Sequence, residues 1–434
     1  MVSILLAILQ FVTIAAIAGY EYKIKSLSLF LWGTLLLMFG MPHLLVTLLG
    51  NSGYSDSIMV KASLFVIMFN VVYFITRVIV VQFIPTSGCL RGMSCQDAES
   101  RFTHKRSIRA RVIYFLLLGL CFLVLIYYSY KYLGGLSNAS WGAFRRLSLE
   151  LGFKSLLRYA TMVFFGVAGV SLVFFWSDNT IMGSMGLIII VSYALLTGNR
   201  ITILPAMVSV VLLYLFKRAT KVSITKIAGL GLLALFALFT VYFLRLLRIH
   251  GGFGAMFANY SVMELITQTL DMLLNGDGEL GLRKAFYHFI QYDNNFANFN
   301  QGHTYIRLLL IAIPSFIAKD IKPPDFAISM GTAWSMNPYN TSYSMHPTLY
   351  GDCFANLWWF GIILGHFWAL FVSIVDRGIS KRTTIAREML MVLLGTAYVI
   401  VGRGSVYNGL FYAFAGTLVI LIVDKVSGIK LKWE

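Results

Sequence analysis

Charged side chains are scarce in this sequence: they make up 12% of its 434 residues, against about a quarter in soluble domains. Acidic residues are the scarcer kind, with 18 Asp and Glu against 35 Lys and Arg, which leaves a net charge of +17. The basic residues do not form a groove interleaved with exposed aromatics, so this charge does not indicate a nucleic-acid partner. The composition excludes an ordinary soluble domain.

Cysteine is also rare, with only four residues. Cys89 and Cys95 lie near His104, but their spacing matches no standard zinc pattern, and no disulfide framework is visible. The motifs GxxxxGK[ST], HExxH and GxSxG are absent, so the chain is not expected to hydrolyse ATP itself. No DxD or acidic pair occupies the first outward linker, where Asp56 stands alone. The sequence therefore calls for no cofactor and no metal.

Apolar residues are abundant, at 58% of the chain. They cluster in runs of about twenty residues, the length that crosses a bilayer as a helix. A β-barrel would instead show alternating segments of about ten residues. Because no basic n-region or cleavage site is visible, the first run is read as a retained helix and not as a signal peptide. The fold class predicted is an all-α polytopic membrane protein with about eleven spans: 2–20, 27–49, 60–83, 111–131, 158–176, 181–198, 201–216, 227–247, 353–375, 388–402 and 407–424.

Many of the lysine and arginine residues lie in linkers that the predicted spans place on one side of the membrane. They follow the first, third, seventh, ninth and eleventh runs, for example at Lys23, Arg106, Lys217, Lys381 and Lys430. Positive linkers remain in the cytoplasm. The N-terminus is therefore predicted outside and the C-terminus inside. The Asp and Glu residues fall in linkers or at run ends, whereas ion-coupled transporters usually need carboxylates inside the membrane.

A polar, aromatic stretch interrupts the apolar runs before the third-last span. It divides the chain into spans one to eight at 1–247, an outer loop at 248–352, and the last three spans with a short tail at 353–434. Long loops in compact proteins are usually functional or disordered, and this one is too aromatic and charge-balanced for disorder. Its apolar segment 308–318 is too short to span and predicts a re-entrant or interfacial helix.

Several arginines stand at the predicted outer ends of spans. Arg200 and Arg403 lie beside glycine, which lets a backbone or ligand approach closely. Arg245 and Arg248 lie one helical turn apart. A guanidinium matches two phosphate oxygens, so a phosphate or diphosphate site is one interpretation. Snorkelling to lipid headgroups is the other, and it is the one assigned to Arg77.

The loop carries the candidate catalytic base and the group that would orient it. His346 precedes span nine, and Asp352 follows it by six residues. Histidine is the usual general base near neutral pH, and the carboxyl would orient it. The alternative is an interfacial histidine with a helix-capping Asp. His43, His250, His288 and His366 are interpreted as structural. Further candidate contacts in the loop are His303, Tyr305, Arg307 and Tyr350.

Four motifs give the chain a resemblance to a known family. They are ThrGlyAsnArg at 197–200, TyrIleArgLeuLeuLeu with IleProSer at 305–315, HisProThrLeuTyrGlyAsp at 346–352, and GlyArgGlySer at 402–405. Together with the span count and the long loop, they resemble the Wzy-type O-antigen polymerases, which join oligosaccharide repeat units of bacterial surface polysaccharides. The motifs are short, and the resemblance rests on them and not on the middle of the loop, residues 250–300.

The resemblance implies a GT-C-like, metal-independent, inverting glycosyltransferase of the bacterial inner membrane. Its substrate would be an undecaprenyl-diphosphate-linked oligosaccharide, with membrane lipid and a chain-length regulator as further partners. The arginines would stabilise the diphosphate leaving group, and His346 would activate the acceptor hydroxyl. Two alternatives stay open: an O-antigen ligase, which uses lipid A core as acceptor, and a flippase or transporter of lipid-linked glycans.

Overall fold

The described part of the chain is helical. In this computed structural model the described residues form helices and turns, without a β-strand among them. They comprise 2–50, 52–83, 104–139, 143–144, 147, 150–151, 156–178, 180–197, 203–212, 239–240, 242–247, 249–251, 253–274, 280–313, 321–341, 344–380 and 384–427. The all-α class predicted from the sequence is confirmed.

Within the described ranges, six helices are long and apolar enough to cross a membrane: Val2–Lys23, Leu29–Leu48, Asp56–Phe83, Arg109–Leu133, Thr348–Ser380 and Val406–Val423. Each coincides with one of the predicted spans, because a run of about twenty apolar residues is itself the determinant of a spanning helix. Shorter apolar helices at Tyr159–Leu172, Ile181–Thr197 and Glu388–Gly402 cover three further predicted spans. Of the remaining two, 201–216 is described only in part, and most of 227–247 lies outside the described residues.

The helices in the first half of the chain follow the apolar runs closely. The segment Leu29–Leu48 is broken by a π-helical turn at Leu36–Gly40, just before Pro42, which cannot donate to the helical ladder. The helices are α1 (Val2–Lys23), α2 (Leu29–Leu35), α3 (Met41–Leu48), α4 (Asp56–Phe83), α5 (His104–Leu133), α6 (Leu156–Asp178), α7 (Thr180–Thr197) and α8 (Leu204–Leu212).

The polar stretch folds into short helices, and longer apolar helices follow it. Asp325 begins one of the short helices by accepting a hydrogen bond from the backbone N–H of Ala327, the usual N-cap geometry. The helices are α9 (Phe253–Asn259), α10 (Val262–Leu274), α11 (Arg283–Gln291), α12 (His303–Leu309), α13 (Phe326–Trp334), α14 (Thr348–Leu357), α15 (Leu364–Ser380), α16 (Thr384–Gly402) and α17 (Val406–Ser427). A 3₁₀ turn at Trp358–Ile363 links α14 to α15.

The chain divides into two compact units. The first contains residues 1–91, 276–381 and 397–411, and the second contains 92–275, 382–396 and 412–434. The predicted outer loop at 248–352 is therefore shared between them, with the boundary near residue 275. The apolar segment predicted at 308–318 is helical only to Leu309, continues as turns to Ile313, and then leaves the described residues.

A buried ion-pair network ties three helices of the first unit together. Arg77 of α4 pairs with Glu21 of α1 at 2.9 Å and with Asp376 of α15 at 2.5 Å, and all three side chains are at most 1% exposed. Ser373 accepts a further hydrogen bond from Arg77 at 2.6 Å. The interpretation of Arg77 as a snorkelling residue is therefore wrong, because its charge is neutralised inside the helix packing instead of at a headgroup.

Candidate functional site

The segment that carries His346 is held at both sides by backbone hydrogen bonds. The N–H of Met345 donates to the carbonyl of Ala327 at 2.9 Å, and the N–H of Thr348 donates to the carbonyl of Arg403 at 3.1 Å. The first bond reaches helix α13 of the polar stretch, and the second reaches the turn between α16 and α17. His346 is thus fixed between two parts of the chain that are far apart in sequence.

Glycine is required where this segment meets the second turn. Gly404 has a φ of +98°, which L side chains rarely adopt. A Cβ atom placed there would lie 2.4 Å from the backbone nitrogen of Thr348, closer than real Cβ contacts. Thr348 itself has a φ of 65°, which is unusual for a β-branched residue. The close approach of these two backbones sets the position of His346.

A small pocket, with room for about one water molecule, opens at this point. His346 and Asp352, the candidate base and its orienting carboxyl, both line it, although the helix that bears Asp352 begins only at Thr348. Asp352 is the fifth residue of that helix and does not cap it, so the helix-capping alternative is wrong. The other polar lining residues come from three further segments and are Thr304, Asp325, Ser405, Tyr407 and Asn408.

Asp352 belongs to a closed hydrogen-bond network and is 1% exposed. The side-chain N–H of Asn356 donates to Asp352 Oδ1 at 3.1 Å and to Thr304 Oγ1 at 3.1 Å. Thr304 Oγ1 donates to Asp352 Oδ2 at 3.5 Å, and the N–H of Thr304 donates to Asn356 Oδ1 at 3.0 Å. The network joins α12 to α14 and orients the Asp352 carboxyl at the pocket.

Two cations converge on the ring of Tyr407, another lining residue. The guanidinium carbon of Arg307 lies 4.5 Å from the ring centroid, and Lys322 Nζ lies 5.8 Å from it. Arg307 also donates to the carbonyl of Pro323 at 2.7 Å, and Lys322 donates to the carbonyl of Ile313 at 2.8 Å. Cations over an aromatic face are stabilised by the ring quadrupole. Positive charge is therefore concentrated beside the pocket.

The arginines predicted to bind a diphosphate differ in their position relative to His346. Arg403 is half-buried, and its backbone contacts the His346 segment. Arg245 lies in the second unit, where one terminal nitrogen of its guanidinium is buried without a hydrogen-bond partner among the described residues. Arg200 and Arg248 lie outside the described residues. The structure thus brings Arg307 and Arg403 to the segments around His346 within one unit.

The further candidate contacts in the loop also differ in where the structure places them. His303 is half-buried at the start of α12, with its ring centroid 6.2 Å from that of Phe326, and burial lowers its pKa. The Tyr305 hydroxyl lies 3.6 Å from Cys353 Sγ, and burial raises the pKa of Tyr305. Tyr350 is fully buried and donates to Asn70 at 2.8 Å, so it is positioned as a core residue and does not line the pocket.

The histidines interpreted as structural have protein partners. His43 is fully buried and lies 2.6 Å from the Tyr287 hydroxyl and 2.9 Å from that of Ser63. His288 lies 3.1 Å from the carbonyl of Ala333. The remaining two contact polar side chains: His250 contacts Gln268, and His366 contacts Thr76.

Sequence reasoning missed several residues of the site. Asp325 carries a readable signal, since a Pro-Pro-Asp run before an apolar helix is an N-cap pattern. Asn356 is an amide inside an apolar run, which its buried hydrogen bonds explain, whereas Asn408 is exposed and donates to Ser405. Lys322 and Tyr407 carry no local signal, because their pairing depends on contact between distant segments. Among the described residues, no group of three His, Cys, Asp or Glu side chains is arranged to hold a metal ion.

Comparison with known proteins gives no match: no family model, no curated protein and no solved structure matches the chain.

Proposed function

We propose that this chain is a membrane glycosyltransferase that polymerises oligosaccharide repeat units carried on undecaprenyl diphosphate. The observation that carries the proposal is the shared pocket of His346 and Asp352, with cationic side chains beside it. A base, a carboxyl and nearby positive charge are what a transfer from a diphosphate to a hydroxyl requires. The family resemblance supplies the substrate class.

In the proposed reaction, an acceptor sugar hydroxyl attacks the anomeric carbon of the donor glycan. The new C–O bond forms as the bond to the diphosphate oxygen breaks, and His346 takes the hydroxyl proton. Arg307 and Arg403 stabilise the negative charge that develops on the leaving diphosphate, since guanidinium groups bind phosphate oxygens in pairs. Asp352, held by Asn356 and Thr304, presents its carboxyl to the same pocket.

The proposal includes the finer topology. Eleven spans in a GT-C-like arrangement place the N-terminus in the periplasm and the C-terminus in the cytoplasm of a bacterial inner membrane. The six long helices and the three shorter apolar ones support such a multi-pass arrangement. The pocket then lies on the periplasmic side, where no nucleotide is available and substrates arrive already activated on lipid.

The test is a reconstitution of purified protein with lipid-linked repeat units, read as product length on a gel. We expect a ladder of increasing chain length from the wild type and none from His346→Ala, whereas His366→Ala should retain the ladder, because His366 contacts Thr76 instead of the pocket. A single transfer onto lipid A core would indicate the ligase. No transfer to any acceptor, with the glycan moved across the bilayer, would indicate a transporter.

A further inference from the structure

Helix α10 (Val262–Leu274) has one buried side and two exposed sides of different chemistry. Leu265 and Thr269 lie one helical turn apart on the buried side and are at most 1% exposed. The first exposed side is an apolar stripe that consists of Val262, Met263, Ile266 and Leu270. The second is a polar stripe that consists of Glu264, Thr267 and Asp271. Residues three or four positions apart share one face of a helix, so each stripe is continuous.

The apolar stripe is too exposed for a surface that faces water. Val262 and Met263 are 62% and 72% exposed, and Ile266 and Leu270 continue the stripe towards the end of the helix. A contiguous exposed apolar surface marks contact with another molecule or with a membrane. At 13 residues, α10 is too short to cross a bilayer, which needs about twenty. Its pattern instead fits a helix that lies between the lipid headgroups and the acyl chains.

The buried side holds α10 at the ends of apolar segments of the second unit. Leu265 belongs to one core cluster with Ala194, near the end of the apolar helix Ile181–Thr197, and with Leu247. His250 Nε2 lies 3.3 Å from Gln268 Oε1, which attaches the helix to the residues that follow Leu247. The position of α10 is therefore fixed by helix ends and not by the middle of a helix bundle.

A tyrosine belt places a membrane–water interface beside these helices. The last turns of α5, which contains a spanning helix, expose Tyr127, Tyr130 and Tyr132. Lys131 Nζ lies 5.3 Å from the ring centroids of both Tyr127 and Tyr132. Tyrosine concentrates where a spanning helix leaves the hydrocarbon. Helix α9 contacts the 3₁₀ turn Leu136–Asn138, directly beyond this belt, and only two residues join α9 to α10.

The charge of α10 indicates how it would meet a membrane. Residues 249–274 contain no Lys or Arg, whereas Glu264 and Asp271 lie on the polar stripe. The N–H and the hydroxyl of Ser261 donate to Glu264 Oε2 at 2.7 and 2.9 Å, and this capping box fixes the start of the helix. Contact with a bilayer therefore depends on the apolar stripe and not on attraction to anionic headgroups.

We propose that α10 is a membrane-surface helix that inserts its apolar stripe among the acyl chains and turns its polar stripe towards water. The occupant of the apolar stripe is the bilayer, which surrounds a multi-pass protein at the level of its tyrosine belt. The inference does not rest on the proposed glycosyl transfer. It makes α10 an anchor that holds the first part of the polar stretch at the membrane surface.

The test is the accessibility of nitroxide labels on the full-length protein in phosphatidylcholine vesicles. With the four native cysteines replaced by alanine, Met263→Cys and Thr267→Cys each carry one label, on the apolar and the polar stripe. Molecular oxygen concentrates among acyl chains, whereas a nickel chelate remains in water. We expect oxygen to relax the label at position 263 more than the chelate does, at a depth of about 5–10 Å, and the order to reverse at position 267.

A third label supplies the lipid-facing reference. Leu120 is exposed in the middle of the spanning helix of α5, so a label on Leu120→Cys should respond to oxygen and hardly to the chelate. Thermal unfolding of the three labelled variants verifies that they are folded. Vesicles that also contain phosphatidylglycerol should give the same depth at position 263, because the helix carries no basic residue.

The outcomes distinguish the possible occupants of the apolar stripe. An oxygen response at position 263 with a chelate response at position 267 supports the membrane-surface helix, whether or not the protein makes a glycan ladder. A chelate response at both positions places the stripe in water and overturns the proposal. Shielding of position 263 from both reagents would reveal a protein partner, such as a second copy, and insertion only with phosphatidylglycerol would reveal an electrostatic contact; either result also overturns it.

Discussion

Replacing Gly404 by alanine should damage both the stability and the activity of this protein. The new Cβ would lie 2.4 Å from the nitrogen of Thr348 and 2.8 Å from both its Cα and carbonyl carbon. Those are backbone atoms, which cannot rotate away as a side chain does. One of the two chain segments must therefore move, and the hydrogen bond between Thr348 and Arg403 must lengthen.

The expected cost has two parts. A left-handed conformation costs an L residue about 1–2 kcal/mol, and overpacking in a closely packed site costs about 1–3 kcal/mol. The sum is a loss of about 2–5 kcal/mol in the free energy of unfolding. Because His346 lies two residues from Thr348, a shift of about 1 Å would also misplace the base and lower the transfer rate by about a hundredfold.

The measurement is thermal unfolding in detergent together with the ladder assay. Gly378→Ala is the matched control, since Gly378 lies within helix α15 and nothing lies within 4 Å of its Cβ position. Alanine in a helix is favoured over glycine by about 0.5–1 kcal/mol, so this variant should be as stable as the wild type or slightly more so. Wild-type stability and ladder length in Gly404→Ala would refute the reasoning.

Two further predictions concern the packing of the first unit. Arg77→Ala should lower the free energy of unfolding by about 3–5 kcal/mol, because it leaves Glu21 and Asp376 as buried carboxyls without a cation. The control is Lys61→Ala, which removes an exposed cation from the same helix and should change the free energy of unfolding little. Equal losses in the two variants would argue against the network. Burial lowers the pKa of His288 in the folded protein. The unfolded chain therefore binds a proton at His288 more readily than the folded chain does. The free energy of unfolding should fall as the pH drops below about 6.5 towards the folded pKa. His288→Gln, which can still donate to the carbonyl of Ala333, should lose part of that decrease between pH 7.5 and 5.5 in thermal unfolding; an identical decrease would contradict it.

The long helices were predictable from the sequence because each contains its own determinant. An apolar run of about twenty residues forms a helix in a membrane whatever its neighbours are, since its backbone must satisfy its own hydrogen bonds. The break at Leu36–Gly40 was not predicted, although Pro42 is a local reason for it. The helix that starts at Thr348 begins five residues before the predicted span at 353, because polar residues near its start are buried by other segments.

The membership of the site was only partly predictable. His346 and Asp352 could be proposed as a pair, because they are close in sequence and are the residue types that perform acid–base chemistry. Lys322 and Tyr407 could not, because they lie 85 positions apart and meet only through folding. Arg77 was misread for a similar reason: an arginine near a helix end looks the same in sequence whether lipid headgroups or two buried carboxyls neutralise it.

The sequence by itself determined the class of protein, its apolar helices and the identity of a few reactive side chains, because hydrophobicity and residue chemistry are local properties. Only the tertiary structure decided which of these side chains share a pocket. It brought His346 between Ala327 and Arg403 through two backbone hydrogen bonds, and it placed acid inside the pocket with cations beside Tyr407. Such an arrangement depends on contacts between distant segments, and no local pattern records them.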